Sequence, residues 1–414
     1  MKTTTFILRL LRLKMLRIQW FTLKNHNREL YLGVKPYKNG CLCPCCERRC
    51  EIVRVMPMER CWRDIRICGT TVFFHYRPRE IVCPTHGRAQ EQIPWAAPNA
   101  QVTYRLEYVL LVYAQLMTAK AAAKLLGLPQ STFSDILHRA IDRIRSGHRI
   151  RKLRKIGIDE IAYHKGKRYA TLVYDLDTAR VVWVGKGKGS AAINRFFTKE
   201  LSDYQRKQIR WATCDMSRVY IAAVKEHCPN ATLVLDRFHI VKALNEAVDA
   251  VRKEEWNKVS RTEGRVFKGL RWLLFAHSSN RTKSDSHLLH QLKTGNYRIY
   301  RAWVLKDEFE QFWNYTYLGV ARTFARRWMT TALKSRLQPL RAFVKMLRAH
   351  FEDIISYLDC HITNAIGEGI NRIVKIVKNR ASGFYNLESF ADMIYLTVGD
   401  LDIPAQISAR FRTV

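Results

Sequence analysis

The chain has 414 residues, long enough for several domains and a sizeable buried core. Its apolar content of 47% and aromatic content of 11% exclude global disorder. Its 71 Lys and Arg against 36 Asp and Glu leave a net charge of +35, which says nothing about fold but selects polyanionic partners. The bases run along the whole length, which fits nucleic acid better than a membrane bound through one basic patch. No run of 18 apolar residues exists, so no membrane span is expected.

Residues 1–40 read as a basic amphipathic leader. Between Phe6 and Arg17 the apolar run is broken by a base every three to five residues, and no small-residue cleavage site follows. That pattern favours an amphipathic helix over a signal peptide.

Residues 41–96 read as a small β-rich zinc module. Eight of the 11 cysteines fall between Cys41 and Cys83, which suggests a local metal site and not a secreted disulfide framework. Cys43 and Cys46 make one C-x2-C knuckle, and Cys83 and His86 make a matching C-x2-H knuckle. Joined by the strand-like Thr70–Arg77, two such knuckles can close a tetrahedron around one structural Zn2+. Cys41/Cys43 and Cys45/Cys46 compete for the register of the first knuckle, and buried free thiols are the rival reading.

Residues 97–150 read as helices. Leu106, Val109, Leu110, Val112, Tyr113 and Leu116 recur at helical spacing. An Ala-rich helix, a turn at Gly127 and a second helix from Gln130 or Ser131 then match a helix-turn-helix, whose second helix enters the major groove. Thr132, Ser134, Asp135, His138 and Arg139 are the candidate groove-facing residues. Plain packing of a helical hairpin is the alternative.

The period changes over 151–240. Apolar runs near 154–159, 169–175 and 180–184 read as strands, with turns at Lys165–Lys167 and Asp175–Thr178. A helix over about 191–201, a strand at 211–214, a helix over 217–227 and a strand at 231–235 complete the order βββαβαβ. That is the order of an RNase H-like sheet, in which the first and fourth strands are neighbours. Asp159 and Asp215 end those two strands and would therefore meet.

Helical signals with five tryptophans fill 241–360, read as an α-helical insertion with most of the tryptophans in its core. A helix over 361–380 follows. Ile362, Ile366, Ile370, Ile373 and Val377 make its core stripe, and Asn364, Glu368, Asn371, Arg372, Lys375 and Asn379 its polar face. Locally, Glu368 with Arg372 could equally be a solvated i,i+4 pair. Residues 361–414 are assigned to the C-terminal part of the catalytic core. The fold class is thus α+β and multi-domain: zinc module, helix-turn-helix, and an RNase H-like domain interrupted by helices.

Several motifs carry a resemblance. They are the two Cys-Pro knuckles, Gly157-Ile158-Asp159-Glu160, Arg168-Tyr169-Ala170-Thr171, Cys214-Asp215-Met216-Ser217-Arg218-Val219-Tyr220 and Leu235-Asp236-Arg237-Phe238-His239. Two more are Asn364-Ala365-Ile366-Gly367-Glu368-Gly369-Ile370-Asn371 and Lys378-Asn379-Arg380-Ala381-Ser382-Gly383-Phe384. In this order, over about 40–400, they resemble the ISL3-family insertion-sequence transposases of bacteria. His86 departs from the pattern, where Cys is commoner.

The resemblance implies a DDE transposase with Asp159, Asp215 and Glu368 as its catalytic acids. These would hold two Mg2+ (or Mn2+) ions for an in-line displacement, first by water and then by the freed 3′-OH. Glu160 would face away from Asp159 along the strand. Asp236 could replace Asp215; otherwise Asp236 and His239 support the site or position DNA. Arg372, Lys375, Lys378 and Arg380 would hold the cleaved strand, with plain solubility charge as the alternative. The expected partners are double-stranded DNA, as terminal inverted repeats and target, and further copies of the chain. The expected location is the bacterial cytoplasm, at the nucleoid. A zinc and helix-turn-helix regulator with an inert nuclease-like domain is the non-enzymatic alternative, and a structure-selective nuclease the enzymatic one.

Overall fold

The computed structural model describes residues 3–11, 16–36, 41–147, 150, 152–164, 168–235, 237–258, 270–275, 282–295, 297–360, 365–399 and 401. The chain divides into two compact units, residues 1–149 with 374–414, and residues 150–373.

The first unit opens with α1 (Thr3–Leu10), β1 (Leu16–Lys24) and β2 (Glu29–Pro36). The expected leader is therefore folded structure. The two strands join β5 (Arg60–Ile67) and β6 (Thr70–Tyr76) in a sheet of order β1-β2-β6-β5. Ile7, Leu11, Leu32, Val34, Trp62, Phe74 and Trp95 build one core beneath it. The alternation of apolar residues and bases fits a helix locally. Residues 29–36 form a hairpin with Leu16–Lys24, and Glu29–Gly33 also pairs in parallel with Thr71–His75, a partner about 40 residues away.

The second sheet has the order β3-β4-β7-β8. It consists of two hairpins, β3 (Cys41–Leu42) with β4 (Arg49–Val55), and β7 (Arg79–Cys83) with β8 (Gly87–Gln90). The strand predicted near Thr70–Arg77 exists but belongs to the other sheet. Buried Glu91 links the two sheets, accepting hydrogen bonds from Tyr76 Oη at 2.7 Å and from Arg79 N, Nε and Nη2. A buried carboxylate needs such saturation of its lone pairs.

Three helices follow: α2 (Tyr104–Leu116), α3 (Ala119–Leu126) and α4 (Gln130–Gly147). Thr103 and Thr118 cap the first two with their side chains. Gly127 ends α3 at φ +60°, in the left-handed region. There any other residue costs about 1–2 kcal/mol. Arg63 clamps this turn from β5, donating Nη1 to the Gly127 carbonyl at 2.9 Å and Nη2 to that of Leu126 at 2.6 Å.

The second unit is built on β9 (Lys155–His164), β10 (Arg168–Asp175), β11 (Arg180–Lys186), β12 (Trp211–Cys214) and β13 (Thr232–Leu235), in the order β11-β10-β9-β12-β13. The first three strands are antiparallel, whereas β12 runs parallel to both β9 and β13. Helices α5 (Ser190–Arg195), α6 (Asp203–Gln208) and α7 (Arg218–His227) connect them. All five strands lie near their predicted positions, but β9 runs on to His164, so Asp159, expected to end it, lies within the strand opposite Leu172.

Helices α8 (Arg237–Trp256), α9 (Leu270–Phe275), α10 (Lys283–Thr294), α11 (Arg298–Glu310), α12 (Leu318–Lys334), α13 (Gln338–Ala349) and α14 (Phe351–Cys360) fill most of the interval to 360. They share one continuous core with the sheet. Trp303, Trp313 and Trp328 are buried there, but Trp256 and Trp272 are exposed.

Helix α15 (Ala365–Arg380) begins in the second unit and ends in the first, whereas the sequence pattern groups residues 361–414 together. Its buried stripe also differs. Ile370, Val374 and Val377 are buried while Ile373 is 39% exposed. Both stripes fit helical spacing, and only the neighbours decide between them. Ile362 and Asn364 lie outside the described residues. Helix α16 (Leu387–Val398) follows Gly383 and packs on α4 and α2.

Candidate active site and metal centre

The cysteine–histidine centre sits where the two hairpin turns of the second sheet meet. Cys43 and Cys46 lie on the turn after β3; Cys83 ends β7, and His86 precedes β8. The four donor atoms all lie within 4.8 Å of one another. Cys43 Sγ to His86 Nδ1 is 3.7 Å, Cys83 Sγ to His86 Nδ1 is 3.6 Å, and Cys46 Sγ to Cys83 Sγ is 3.6 Å. A tetrahedral Zn2+ with bonds of about 2.3 Å to sulfur and about 2.0 Å to nitrogen sets its donors about 3.5–3.8 Å apart, so the set fits zinc. The His86 hydrogen bond pulls the Cys83 thiol down to about 5, and the same contact raises His86. Thiolate is the form that binds metal. Cys45 is exposed, Cys41 pairs with Cys50 across the hairpin, and Cys50 lies beside Cys83 at the edge of the same cluster. Burial, with Glu91 beside it, pushes the Cys41 thiol up to about 12.

The acidic site is built by strand register. β12 pairs with β9 in parallel, Cys214 against Ile158. The next residue on each strand is an acid, Asp215 and Asp159. Asp159 Oδ1 accepts the Glu160 amide at 2.7 Å, and Oδ2 accepts Asn371 Nδ2 from α15. Asp215 Oδ1 accepts the Ser217 amide at 3.0 Å, which fixes the turn into α7. Burial raises the Asp159 carboxyl above the ordinary carboxylate range. Glu160, Asn371 and His239 oppose the rise, and the charge of Asp215 adds to it. The site therefore holds closely spaced, desolvated negative charge, which suits a hard divalent cation such as Mg2+ or Mn2+.

Glu160 belongs to the same field. Burial raises it, Lys188 opposes, and Asp215 and Asp159 add to the rise. Tyr220 of α7 is pushed up to about 12 by burial and by these three acids, against its hydrogen bond with Thr171. Glu368 stands exposed in the first turn of α15, one turn before Asn371, and so on the helix face that reaches Asp159. Among the described residues, the three acids do not form a set as tight as the cysteine–histidine centre. Asp236 lies outside the described residues. His239, in the first turn of α8, is half-buried and acts on Asp159 electrostatically.

The ISL3-type DDE family, described as transposase, matches residues 156–394, a span that contains all three acids. The chain belongs to the ISL3 family of DDE transposases. It is 29% identical over 383 residues to the transposase for insertion sequence element IS1001 of Bordetella parapertussis, covering 90% of this chain and 92% of that one. It is 27% identical over 364 residues to the transposase for insertion sequence element IS1557 of Mycobacterium tuberculosis (strain CDC 1551 / Oshkosh), covering 82% and 81% respectively. Membership makes the chain an enzyme, with DNA as partner and divalent-metal chemistry implied. Among the described residues, no helix is long and apolar enough to cross a membrane.

Two of the predicted DNA-binding residues of the transposase, His138 and Arg380, make hydrogen bonds within the first unit. His138 bonds to α16, through Nδ1 to Asp392 and through Nε2 to Glu388, each at 3.0 Å. Arg380 donates Nη1 to the Gln115 carbonyl at 2.6 Å and Nη2 to that of Ala114 at 3.2 Å, closing the C-terminus of α2. Thr132 and Ser134 are half-buried on the flank of α4, whose exposed face carries Ser131, Asp135, Arg139 and Asp142. Arg372 and Lys375 are exposed, and Lys378 is half-buried. The residue that sequence reasoning placed on the right face without a role is Asn371. Its spacing of three from Glu368 was the available signal.

Proposed function

We propose that the transposase binds the terminal inverted repeats of a bacterial insertion sequence and performs cleavage and strand transfer at Asp159, Asp215 and Glu368. The observation that carries this is the parallel register that sets Asp159, within β9, beside Asp215, at the end of β12. The sheet order, with the first strand beside the fourth, supports an RNase H-like catalytic core. Asp159 is oriented by two hydrogen bonds and keeps a further lone pair on each oxygen. Asp215 is held by the turn into α7, and Glu368 approaches from α15. Two divalent ions bound by these three residues would lower the pKa of an attacking water and offset charge at the phosphate.

The reaction is an in-line displacement at phosphorus. Water first frees a 3′-OH at the element end, and that 3′-OH then attacks a target phosphodiester. No protein nucleophile is required. His239 supports the ionised form of Asp159. In the first unit, Cys43, Cys46, Cys83 and His86 would hold one structural Zn2+ that locks the two hairpins together. Helices α3 and α4 would present Arg139 and its neighbours to the major groove. Arg372 and Lys375, exposed beyond Glu368, would hold the cleaved strand. The acid site and the repeat-binding surface must both meet DNA at two element ends, which favours a homo-oligomer on the nucleoid.

Incubation with inverted-repeat DNA, a supercoiled plasmid and Mg2+ tests the reading. Strand-transfer products that disappear with Asp159→Asn support it. Cleavage without any joining would point to a nuclease instead.

A further inference from the structure

Asn371 stands out among the polar side chains of the acid site. Its Nδ2 donates to Asp159 Oδ2 across 212 residues of sequence, whereas its Oδ1 is buried and finds no hydrogen-bond partner among the described residues. The orientation of the amide follows from chemistry. Turning it over would set a carbonyl oxygen against a carboxylate oxygen, two acceptors facing each other. Buried polar atoms without partners are uncommon and call for an explanation.

An amide oxygen accepts and cannot donate, so it engages either an O–H or N–H group or a divalent cation, and the three carboxylates already supply ligands for the cations of the proposed site. The phosphate oxygens of DNA are acceptors, which removes them. The groups that bring a hydrogen to this site during the reaction are its nucleophiles, water in the first step and a 3′-hydroxyl in the second. The two atoms of one amide are close neighbours. A hydroxyl accepted by Oδ1 therefore lies next to the Asp159 carboxylate that Nδ2 orients.

We propose that Asn371 is a positioning residue for the nucleophile, with Nδ2 fixing Asp159 and Oδ1 accepting a hydrogen bond from the attacking hydroxyl. It takes no proton and forms no bond to phosphorus. Glu368 and Asn371, three apart on α15, come to the site as one rigid element. The inference rests on the catalytic reading of Asp159.

Two substitutions separate acceptance from packing. Asn371→Leu keeps the size and removes both polar atoms; Asn371→Asp keeps an acceptor and removes the donor. Single-turnover cleavage of an inverted-repeat duplex, and strand transfer from a pre-cleaved duplex, are measured on the full chain at saturating Mg2+ and DNA. Asn371→Leu is expected to slow both steps at least 100-fold with the DNA Kd changed less than two-fold. Asn371→Asp is expected to be at least ten-fold faster than Asn371→Leu. Mn2+ binding followed by electron paramagnetic resonance supplies a readout independent of turnover, and its Kd should rise at least five-fold in Asn371→Leu, which loses the donor that fixes Asp159. A rate ratio below ten between the two variants, whether both are fast or both slow, overturns the proposal. Asp159→Asn in the same assay keeps the two readings apart. If it cuts at the parent rate, the catalytic site itself is misplaced. If it is dead while the Asn371 variants match each other, only the role of Asn371 falls.

Discussion

Ile158 of β9 lies opposite Cys214 of β12 in parallel register, so Asp159, within β9, and Asp215, just past the end of β12, stand at the same level on neighbouring strands. Each should be indispensable. Asp159→Asn and Asp215→Asn are expected to lower Mg2+-dependent cleavage by on the order of 10³-fold or more, the scale seen when a unit of cooperating catalytic groups loses one member. Binding of the inverted repeat should persist in both. Asp236→Asn serves as the control, with an expected loss far below that of Asp215→Asn. Normal cleavage by Asp215→Asn with a dead Asp236→Asn would give the second ligand position to Asp236.

The catalytic sheet was legible because its strands are local runs bounded by turn residues, and a period of two does not depend on what lies far away. The cysteine–histidine cluster was legible because two-residue spacing within each knuckle is itself the geometry of such a site. Three features were hidden, each for a non-local reason. Residues 29–33 pair with 71–75, and nothing within the first 40 residues reveals that partner. His138 and Arg380 have the exposure pattern of DNA contacts, but their partners, Asp392 and the end of α2, are brought by other segments. On α15, the choice between Ile373 and Val374 as the buried residue depends on neighbours that no periodicity contains.

With the proposed zinc bound, the cysteine–histidine centre should make stability depend on a metal. In small modules of this kind the bound ion supplies much of the folding free energy. Cys83→Ser, or a strong chelator, should therefore release about one equivalent of zinc per chain and melt β3, β4, β7 and β8. His86→Cys should keep the ion, because thiolate replaces imidazole without changing the ligand count. Metal analysis by mass spectrometry and far-ultraviolet circular dichroism check both. A Cys83→Ser protein with full zinc content and an unchanged spectrum would remove zinc from the account.

The pairing of α4 with α16 has a pH signature. Burial raises the Asp392 carboxyl to about 6, against the opposing pull of His138. A carboxyl raised above its unfolded value binds its proton more tightly in the native state. Stability from this group is therefore greatest in acid and declines as pH rises from about 4 to about 6, by up to about 3 kcal/mol. The amide of Asp392→Asn does not titrate. The difference in urea midpoint between Asp392→Asn and the parent should shift in favour of the variant over that interval and level off above it. A difference that stays flat from pH 4 to 7 would show that the carboxyl is not desolvated.

Salt dependence separates bases that contact DNA from bases that brace the fold. Each phosphate neutralised contributes about −0.9 to the slope of log K against log salt. Arg372 and Lys375 are exposed on α15, so Arg372→Ala and Lys375→Ala should each make the slope shallower by about 0.9 while leaving the unfolding midpoint unchanged. Arg380→Ala should do the reverse. Its guanidinium closes the Ala114 and Gln115 carbonyls, and charge-assisted bonds of this kind contribute about 1.5–3 kcal/mol. Loss of that cap should lower the denaturant midpoint and leave the slope alone. Fluorescence-anisotropy titrations across a salt series, paired with urea unfolding of the same variants, measure both quantities. If Arg380→Ala changes the slope and not the midpoint, this base belongs to the DNA interface after all.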